Sequence, residues 1–291
     1  MPELPEVETI RLQLEKYIVG HKIKDVDVRY GKNFEGDVKN VAGVKIIAVR
    51  RFGKALVIDL SNNYAIAIHV KMTGQLLYRG PNLRNPAVLS KKVIGGLEGK
   101  HTHIIFYLDK NGKLYYNDIR KFGWIKIFIS SELKIKSDFL RKLGFEPVVD
   151  ENNPPKNPLT PGKFSEILSH TKRAIKIVLM DQSKIAGIGN IYANDALWLA
   201  RINPKKPADK LNKTETLKLY KAVIKVLKKG IKYKGASENA FVTPDGEEGK
   251  YQNYTLVYGH EGEPCKHCHK AKIVKIFLAG RGTYFCPVCQ R

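Results

Sequence analysis

Apolar residues recur at helical spacing near the start of the chain, at Val7, Ile10, Leu14 and Tyr17, and Gly20 is placed to close the helix they predict. The period then changes. Segments 22–29, 44–50, 55–60, 64–70 and 75–79 are short runs rich in Val, Ile and Tyr, punctuated by Gly31-Lys32-Asn33, Ser61-Asn62-Asn63 and Gly80-Pro81. Segments 103–108, 113–117 and 124–129 continue the series. Many short strands at close spacing imply a sandwich or barrel. Residues 1–130 are therefore expected to be a β-sandwich domain carrying an N-terminal helix.

Residues 131–161 are expected to connect this domain to the next, because 144–161 is rich in proline and turn formers. Helical patterning follows over 164–169, 172–180, 190–200 and 214–229. On the last, Leu217, Tyr220, Ile224 and Leu227 form an apolar stripe opposite Lys218, Lys221, Lys225, Lys228 and Lys229, a run that reads first as a solvated face. Gly187-Ile188-Gly189-Asn190 makes a turn into a helix with Asn190 as its N-cap, and such a turn offers backbone N–H groups to a phosphate. Glycine turns join helices in many proteins, so that signal is weak by itself. A long glycine-containing loop lies between Ile231 and Gln252. The expected division is helical domain and loop over 162–249, then a C-terminal module over 250–291.

Composition narrows the function. The chain of 291 residues carries 51 Lys and Arg against 28 Asp and Glu, a formal charge of +23, which suits a polyanion such as nucleic acid. A hydrophobic fraction of 43% argues against wholesale disorder. No apolar run approaches the ~18 residues of a membrane span, and no basic segment followed by an apolar one marks a secretory leader. Both point to a cytoplasmic protein. Cys265, Cys268, Cys286 and Cys289 are the only cysteines, spaced Cys-x2-Cys-x17-Cys-x2-Cys. That spacing predicts one zinc ion held by four thiolates, with His267 and His269 as neighbours the filled site does not need. A filled tetrahedron has no open position, so the zinc is expected to be structural.

The first residues, Met1-Pro2-Glu3-Leu4-Pro5-Glu6-Val7-Glu8, allow two readings. Proline and acidic residues suit the first turn of a helix. Trimming of Met1 would also leave Pro2 with a free secondary amine, of pKa roughly 7.7–8.0, able to form an iminium ion with an aldehyde. Glu3 could then move protons for it. One structure can serve both readings, since a helix would hold the amine rigidly.

Met-Pro-Glu-Leu-Pro-Glu-Val-Glu-Thr resembles the N-terminus of the formamidopyrimidine-DNA glycosylases, repair enzymes that remove oxidised purines. Further matches are Arg50-Arg51-Phe52-Gly53-Lys54, His69-Val-Lys-Met-Thr-Gly74, Asn117-Asp-Ile-Arg-Lys-Phe-Gly123, Ala186-Gly-Ile-Gly-Asn-Ile-Tyr192 and a hairpin expected to have Gly280-Arg281-Gly282 at its tip. The resemblance implies an α+β multidomain protein, with an N-terminal β-sandwich followed by a helix–two-turn–helix domain and a zinc-ribbon finger. It implies Pro2 as nucleophile, Glu3 as proton donor and Lys54 as the active-site lysine. His69, Asn190 and Arg281 would bind phosphate, while Met72, Arg120 and Phe122 would fill the gap left by an extruded base. Cys265, Cys268, Cys286 and Cys289 would bind the zinc. The expected partner is double-stranded DNA carrying oxidised bases or abasic sites, bound by a monomer at the nucleoid. The resemblance also implies that the loop closes over the extruded base, although its sequence departs from the family pattern after Gly235, and Lys71 stands where glycine is usual. Alternatives are an endonuclease VIII type enzyme, which acts on oxidised pyrimidines, and a non-catalytic DNA-binding scaffold. Leu4 and the Met-Arg-Phe set argue against the first, and Pro2, Glu3 and Lys54 together against the second.

Overall fold

A computed structural model describes residues 1–83, 88–151 and 153–291; Asn152, within the expected connection, lies outside them. Helix α1 (Leu4–Ile18) opens the chain, and Leu4, Val7, Ile10, Leu14 and Ile18 are buried, so the apolar stripe is its packing face. Among the described residues nine strands follow: β1 (Ile23–Val28), β2 (Phe34–Glu35), β3 (Ile46–Phe52), β4 (Ala55–Leu60), β5 (Tyr64–His69), β6 (Gly74–Arg79), β7 (Thr102–Leu108), β8 (Lys113–Asp118) and β9 (Trp124–Ile129). They form two sheets, ordered β2-β9-β5-β4-β3 and β1-β7-β8-β6. All neighbours are antiparallel except β2 and β9.

Alternate residues on a strand face one side. Leu56, Ile58, Leu60, Ile66 and Ile68 of one sheet therefore meet Leu76, Tyr78, Ile104 and Phe106 of the other in a single core with α1. Each such side chain contributes roughly 1.5–3 kcal/mol on burial. The sandwich and its helix are as expected. The sequence reading missed β2 and two one-turn helices, α2 (Leu133–Lys136) and α3 (Asp138–Arg141). Elements of two to four residues are too short to show a period.

The connection is not structureless, since β10 (Glu146–Pro147) pairs in parallel with β11 (Pro158–Leu159). Helices α4 (Pro161–Ser169), α5 (Ile175–Met180), α6 (Asn190–Ala200) and α7 (Lys213–Lys232) follow, and the hairpin β12 (Val274–Leu278) and β13 (Arg281–Phe285) closes the chain. Among the described residues no helix is long and apolar enough to cross a membrane.

Two compact units result: residues 1–141 with 231–252, and residues 142–230 with 253–291. This corrects one expectation. Residues 231–249, assigned from sequence to the helical domain, group with the first unit, as do residues 250–252, assigned to the C-terminal module. The loop's hydrogen bonds explain why, because they run to Glu6, Gln75 and Lys92 of that unit.

Within the second unit, a Cβ added at Gly230 would lie 2.5 Å from Cε1 and Oη of the buried Tyr192 ring. Overpacking of this kind costs ~1–3 kcal/mol, against ~1 kcal/mol gained when alanine replaces glycine in a helix. Gly230→Ala should therefore lower Tm by a few degrees in a thermal melt. A raised Tm would mean the ring has room to move.

Candidate active site and nucleic-acid interface

Pro2, Glu3 and Glu6 are buried at the start of α1, and Glu3 and Glu6 form a capping box. Glu6 Oε2 accepts the Glu3 N–H at 2.7 Å, and its other oxygen, Oε1, accepts the Ala236 N–H at 2.7 Å. The loop residue Gly235 has φ +79°, and a Cβ there would lie 2.8 Å from Glu6 Cγ, so only glycine lets the loop approach. Both readings of the octapeptide are thus compatible with one geometry: a capped helix start that holds Pro2 and Glu3 in place. Met1 is 45% exposed, open to trimming.

Lys54 is buried in the two-residue turn between β3 and β4. A chain of contacts links that turn to α1. Buried Glu8 pairs with Arg51 at 2.6 Å and Arg11 at 2.8 Å, and Arg51 Nη1 donates to the Gly53 carbonyl at 3.2 Å. Sequence reasoning passed over Glu8 and Arg51, because a charged residue near a helix start usually faces water.

His69, at the end of β5, is buried against Trp124 and Phe139. Burial, followed by the charges of Lys71 and Lys54, pushes its pKa down to about 3. The ring is neutral at pH 7. Its Nδ1 accepts the Lys71 N–H at 3.0 Å, which leaves Nε2 carrying the proton as a donor.

Met72, Arg120 and Phe122 come together on the surface of the first unit. Arg120 Nη1 lies 3.1 Å from Met72 Sδ, and its guanidinium stands 4.8 Å above the Phe122 ring. Met72 is 41% and Phe122 59% exposed, so neither packs in the core. Buried Asp118 sets their turn: it accepts the Arg120 and Gly123 N–H groups, at 3.1 and 2.9 Å, and the Thr73 hydroxyl at 2.5 Å. Asp118 was visible in sequence only as part of the matched motif.

In the second unit, Asn190 is the first residue of α6 and Gly189 is its N-cap, so the expected cap moves by one residue. The Asn190 amide is used elsewhere, donating to the Gly282 carbonyl at 3.1 Å. The hairpin tip also differs from expectation. Ala279 and Gly280 form it, at φ 47° and 71°, while Arg281 begins β13, paired with Leu278 and exposed. Asn190 and Arg281 are nevertheless brought together, since Gly282 adjoins the arginine. Asn194 Oδ1 accepts the Tyr284 N–H at 2.8 Å, and buried Asp195 accepts the N–H groups of Leu256, Val257 and Tyr258 at 3.0 to 3.2 Å. The buried Lys176 ammonium donates to the Gly282 carbonyl and the Thr283 hydroxyl. Lys176 and Asn194 fix the hairpin to α5 and α6, Asp195 fixes residues 256–258 to α6, and none of the three was singled out in the sequence. Their only mark is polarity inside otherwise apolar helices.

The four cysteine sulfurs lie within 4.8 Å of one another, with Cys265 and Cys289 3.9 Å apart and Cys268 and Cys286 3.7 Å apart. Zinc–sulfur bonds of about 2.3 Å in a tetrahedron require sulfurs about 3.8 Å apart. The donor set fits one structural zinc. Cys289 N–H also donates to Cys286 Sγ at 3.4 Å, a bond that favours the thiolate.

The neutrality of His69 has a measurable consequence. Unfolded, the residue titrates near its ordinary value of about 6.5. Below that pH the unfolded chain takes up the proton first, so stability is lost as pH falls from about 6.5 towards 3, by at most ~1.4 kcal/mol per pH unit. His69→Gln should lose less stability than the wild type between about pH 6 and about pH 4.5 in urea unfolding. Parallel losses would mean that His69 is not held neutral.

Three family models match successive parts of the chain: the formamidopyrimidine-DNA glycosylase N-terminal domain over residues 1–125, its H2TH domain over 146–241, and the zinc finger found in FPG and IleRS over 262–291. The formamidopyrimidine-DNA glycosylase of Lactiplantibacillus plantarum is 38% identical over the full length of both chains. That of Desulfitobacterium hafniense is 37% identical, again with complete coverage of both. Among solved structures, the MutM (Fpg) protein of Thermus thermophilus is 32% identical with a TM-score of 0.83, covering 99% of this chain and 98% of that one. A Lactococcus lactis Fpg mutant in complex with Fapy-dG-containing DNA is 34% identical, with a TM-score of 0.83 and full coverage of both chains. Matched by these models over most of its length and by curated relatives across all of it, the chain belongs to the formamidopyrimidine-DNA glycosylase family.

Proposed function

We propose that the protein is a bifunctional DNA glycosylase and abasic-site lyase that removes oxidised purines, 8-oxoguanine and formamidopyrimidines, from duplex DNA. The observation that carries this reading is the buried Pro2–Glu3 pair, locked by Glu6 at the head of a chain that matches the family throughout. The reading places the protein in the cytoplasm, acting as a monomer on nucleoid DNA.

Once Met1 is removed, the Pro2 nitrogen is a secondary amine, partly neutral near pH 7. It attacks C1′ of the damaged nucleotide; the glycosidic bond breaks and the base leaves with the bonding electron pair, gaining a proton. Glu3 protonates the ring oxygen, the sugar opens, and the nitrogen lone pair completes the iminium ion. Loss of a C2′ proton expels the 3′ phosphate, and loss of a C4′ proton then expels the 5′ phosphate. Water releases the sugar remnant and restores Pro2. Lys54, His69, Asn190 and Arg281 bind phosphates around the lesion, His69 as a neutral Nε2–H donor. Met72 and Phe122 fill the space of the extruded nucleotide, and Arg120 bonds the base left opposite. The zinc, bound by Cys265, Cys268, Cys286 and Cys289, fixes the hairpin that carries Arg281.

Borohydride trapping tests the chemistry. A duplex with 8-oxoguanine opposite cytosine should yield a covalent adduct that peptide mapping assigns to Pro2. Pro2→Gly should lower excision at least about a hundredfold, since positioned nucleophiles contribute on that scale or beyond. Undiminished activity would refute a requirement for the Pro2 secondary amine, absence of any trapped adduct in the wild type would refute the covalent mechanism, and an adduct formed only with an oxidised-pyrimidine duplex would move the substrate to the endonuclease VIII side. Because the zinc anchors the hairpin, Cys286→Ser should weaken duplex affinity roughly tenfold or more in fluorescence anisotropy, the scale of one lost charge-assisted hydrogen bond. Equal affinity would disconnect the zinc from DNA binding.

A further inference from the structure

Residues 233–250 contain no helix or strand, yet residues 235–237, 241–244, 246 and 249 are buried. A buried irregular segment must satisfy its backbone polar groups individually. One end rests on Glu6 through Ala236. In the middle, the buried Gln75 amide donates to the Ala240 carbonyl at 2.5 Å. The Lys92 ammonium bonds both the Ser237 carbonyl and, at 2.8 Å, the Glu248 carboxylate. Ser90 adds its hydroxyl to Glu248 at 2.6 Å and its N–H to the Gly246 carbonyl at 2.9 Å. Lys92 itself is held to β6, where Gln75 donates to its carbonyl at 2.7 Å and accepts the Ile94 N–H at 2.9 Å. The carboxyl of Glu248 is held below its ordinary value by Lys92 first and Ser90 second, which keeps the clip charged.

The Lys92 ammonium therefore ties Ser237 to Glu248, beside direct bonds from the Gly249 N–H to the Ser237 hydroxyl at 2.8 Å and from the Ser237 N–H to Gln252 Oε1 at 2.9 Å, while the start of the loop lies against the carboxylate that orients Glu3. We propose that Lys92 is a positioning residue for base recognition, acting through the loop 236–248. By fixing that loop, it fixes which backbone groups meet a base whose C1′ is presented to Pro2. An abasic sugar has no base to hold, so cleavage at an abasic site depends far less on the clip. The inference rests on the proposed Pro2 chemistry. Side chains of Lys92 and Glu248 are 36% and 37% exposed, and ion pairs so open to water contribute little to global stability. The effect belongs in substrate discrimination instead.

Single-turnover rates on an 8-oxoguanine duplex and on an abasic duplex, measured with the full-length protein, test this. Lys92→Met, which keeps the side chain's length but loses its donors, should lower the ratio of excision to abasic cleavage roughly ten- to hundredfold, the scale of a small misplacement of reacting groups. Tm should stay near that of the wild type, and Lys92→Arg should restore most of the ratio. An unchanged ratio in Lys92→Met, or an equal fall in both rates, would overturn the proposal. A wild-type protein that traps on neither duplex would remove the Pro2 reading and this inference with it, whereas trapping with an unchanged ratio removes the role of Lys92 alone.

Discussion

The Glu6 carboxylate is the constraint on which the first unit's site depends. It is buried, and each of its oxygens accepts one backbone N–H, from Glu3 on one side and from Ala236 on the other. A buried carboxylate is costly unless its lone pairs are used, and hydrogen bonds to a charged group contribute about 1.5–3 kcal/mol each. Satisfying that one group therefore fixes residues 230 positions apart in sequence. The chemistry of the side chain matters as well as its shape. Glutamine would offer one acceptor and one NH2 donor, and the donor would face an N–H it cannot bond.

The same device recurs beneath other parts of the structure. Asp118 gathers the N–H groups of Arg120 and Gly123 under the Met72–Arg120–Phe122 cluster. Asp195 gathers those of Leu256, Val257 and Tyr258 at the entry to the zinc module. In each case a turn that secondary structure cannot satisfy is held by an acid from a helix or strand. Function is thereby mounted on rigid elements.

Most of this was legible in sequence where a residue type has few other uses. Four cysteines in two Cys-x2-Cys pairs led to a cluster of the right size for zinc. Alternating Val and Ile led to the sandwich, with Trp124–Ile129 placed to the residue. What was not legible depends on partners distant in sequence. Lys92, Gln75 and Glu248 look like ordinary surface residues until the fold places them around one loop, and the unit to which residues 231–252 belong follows from those bonds. Smaller errors share a cause. Asn190 and Arg281 were given the positions that local rules favour, but tertiary hydrogen bonds and strand pairing moved each by a residue.

The exposed cluster shows how the fold accommodates a side chain that suits a bound state better than a free one. Phe122 and Met72 leave apolar surface in water that burial would remove at about 25 cal/mol per Å2. Arg120 offsets part of that exposure by standing over the Phe122 ring and against Met72 sulfur, contacts of ~0.5–1 kcal/mol at an exposed site. Such contacts are weak enough to exchange for others. The Asp118 anchor holds the backbone meanwhile, so the three side chains can leave one another for a duplex without the turn reorganising. A cluster packed into the core would be more stable and could not do this, which is the physical reason for its exposure in the wedge role proposed for it.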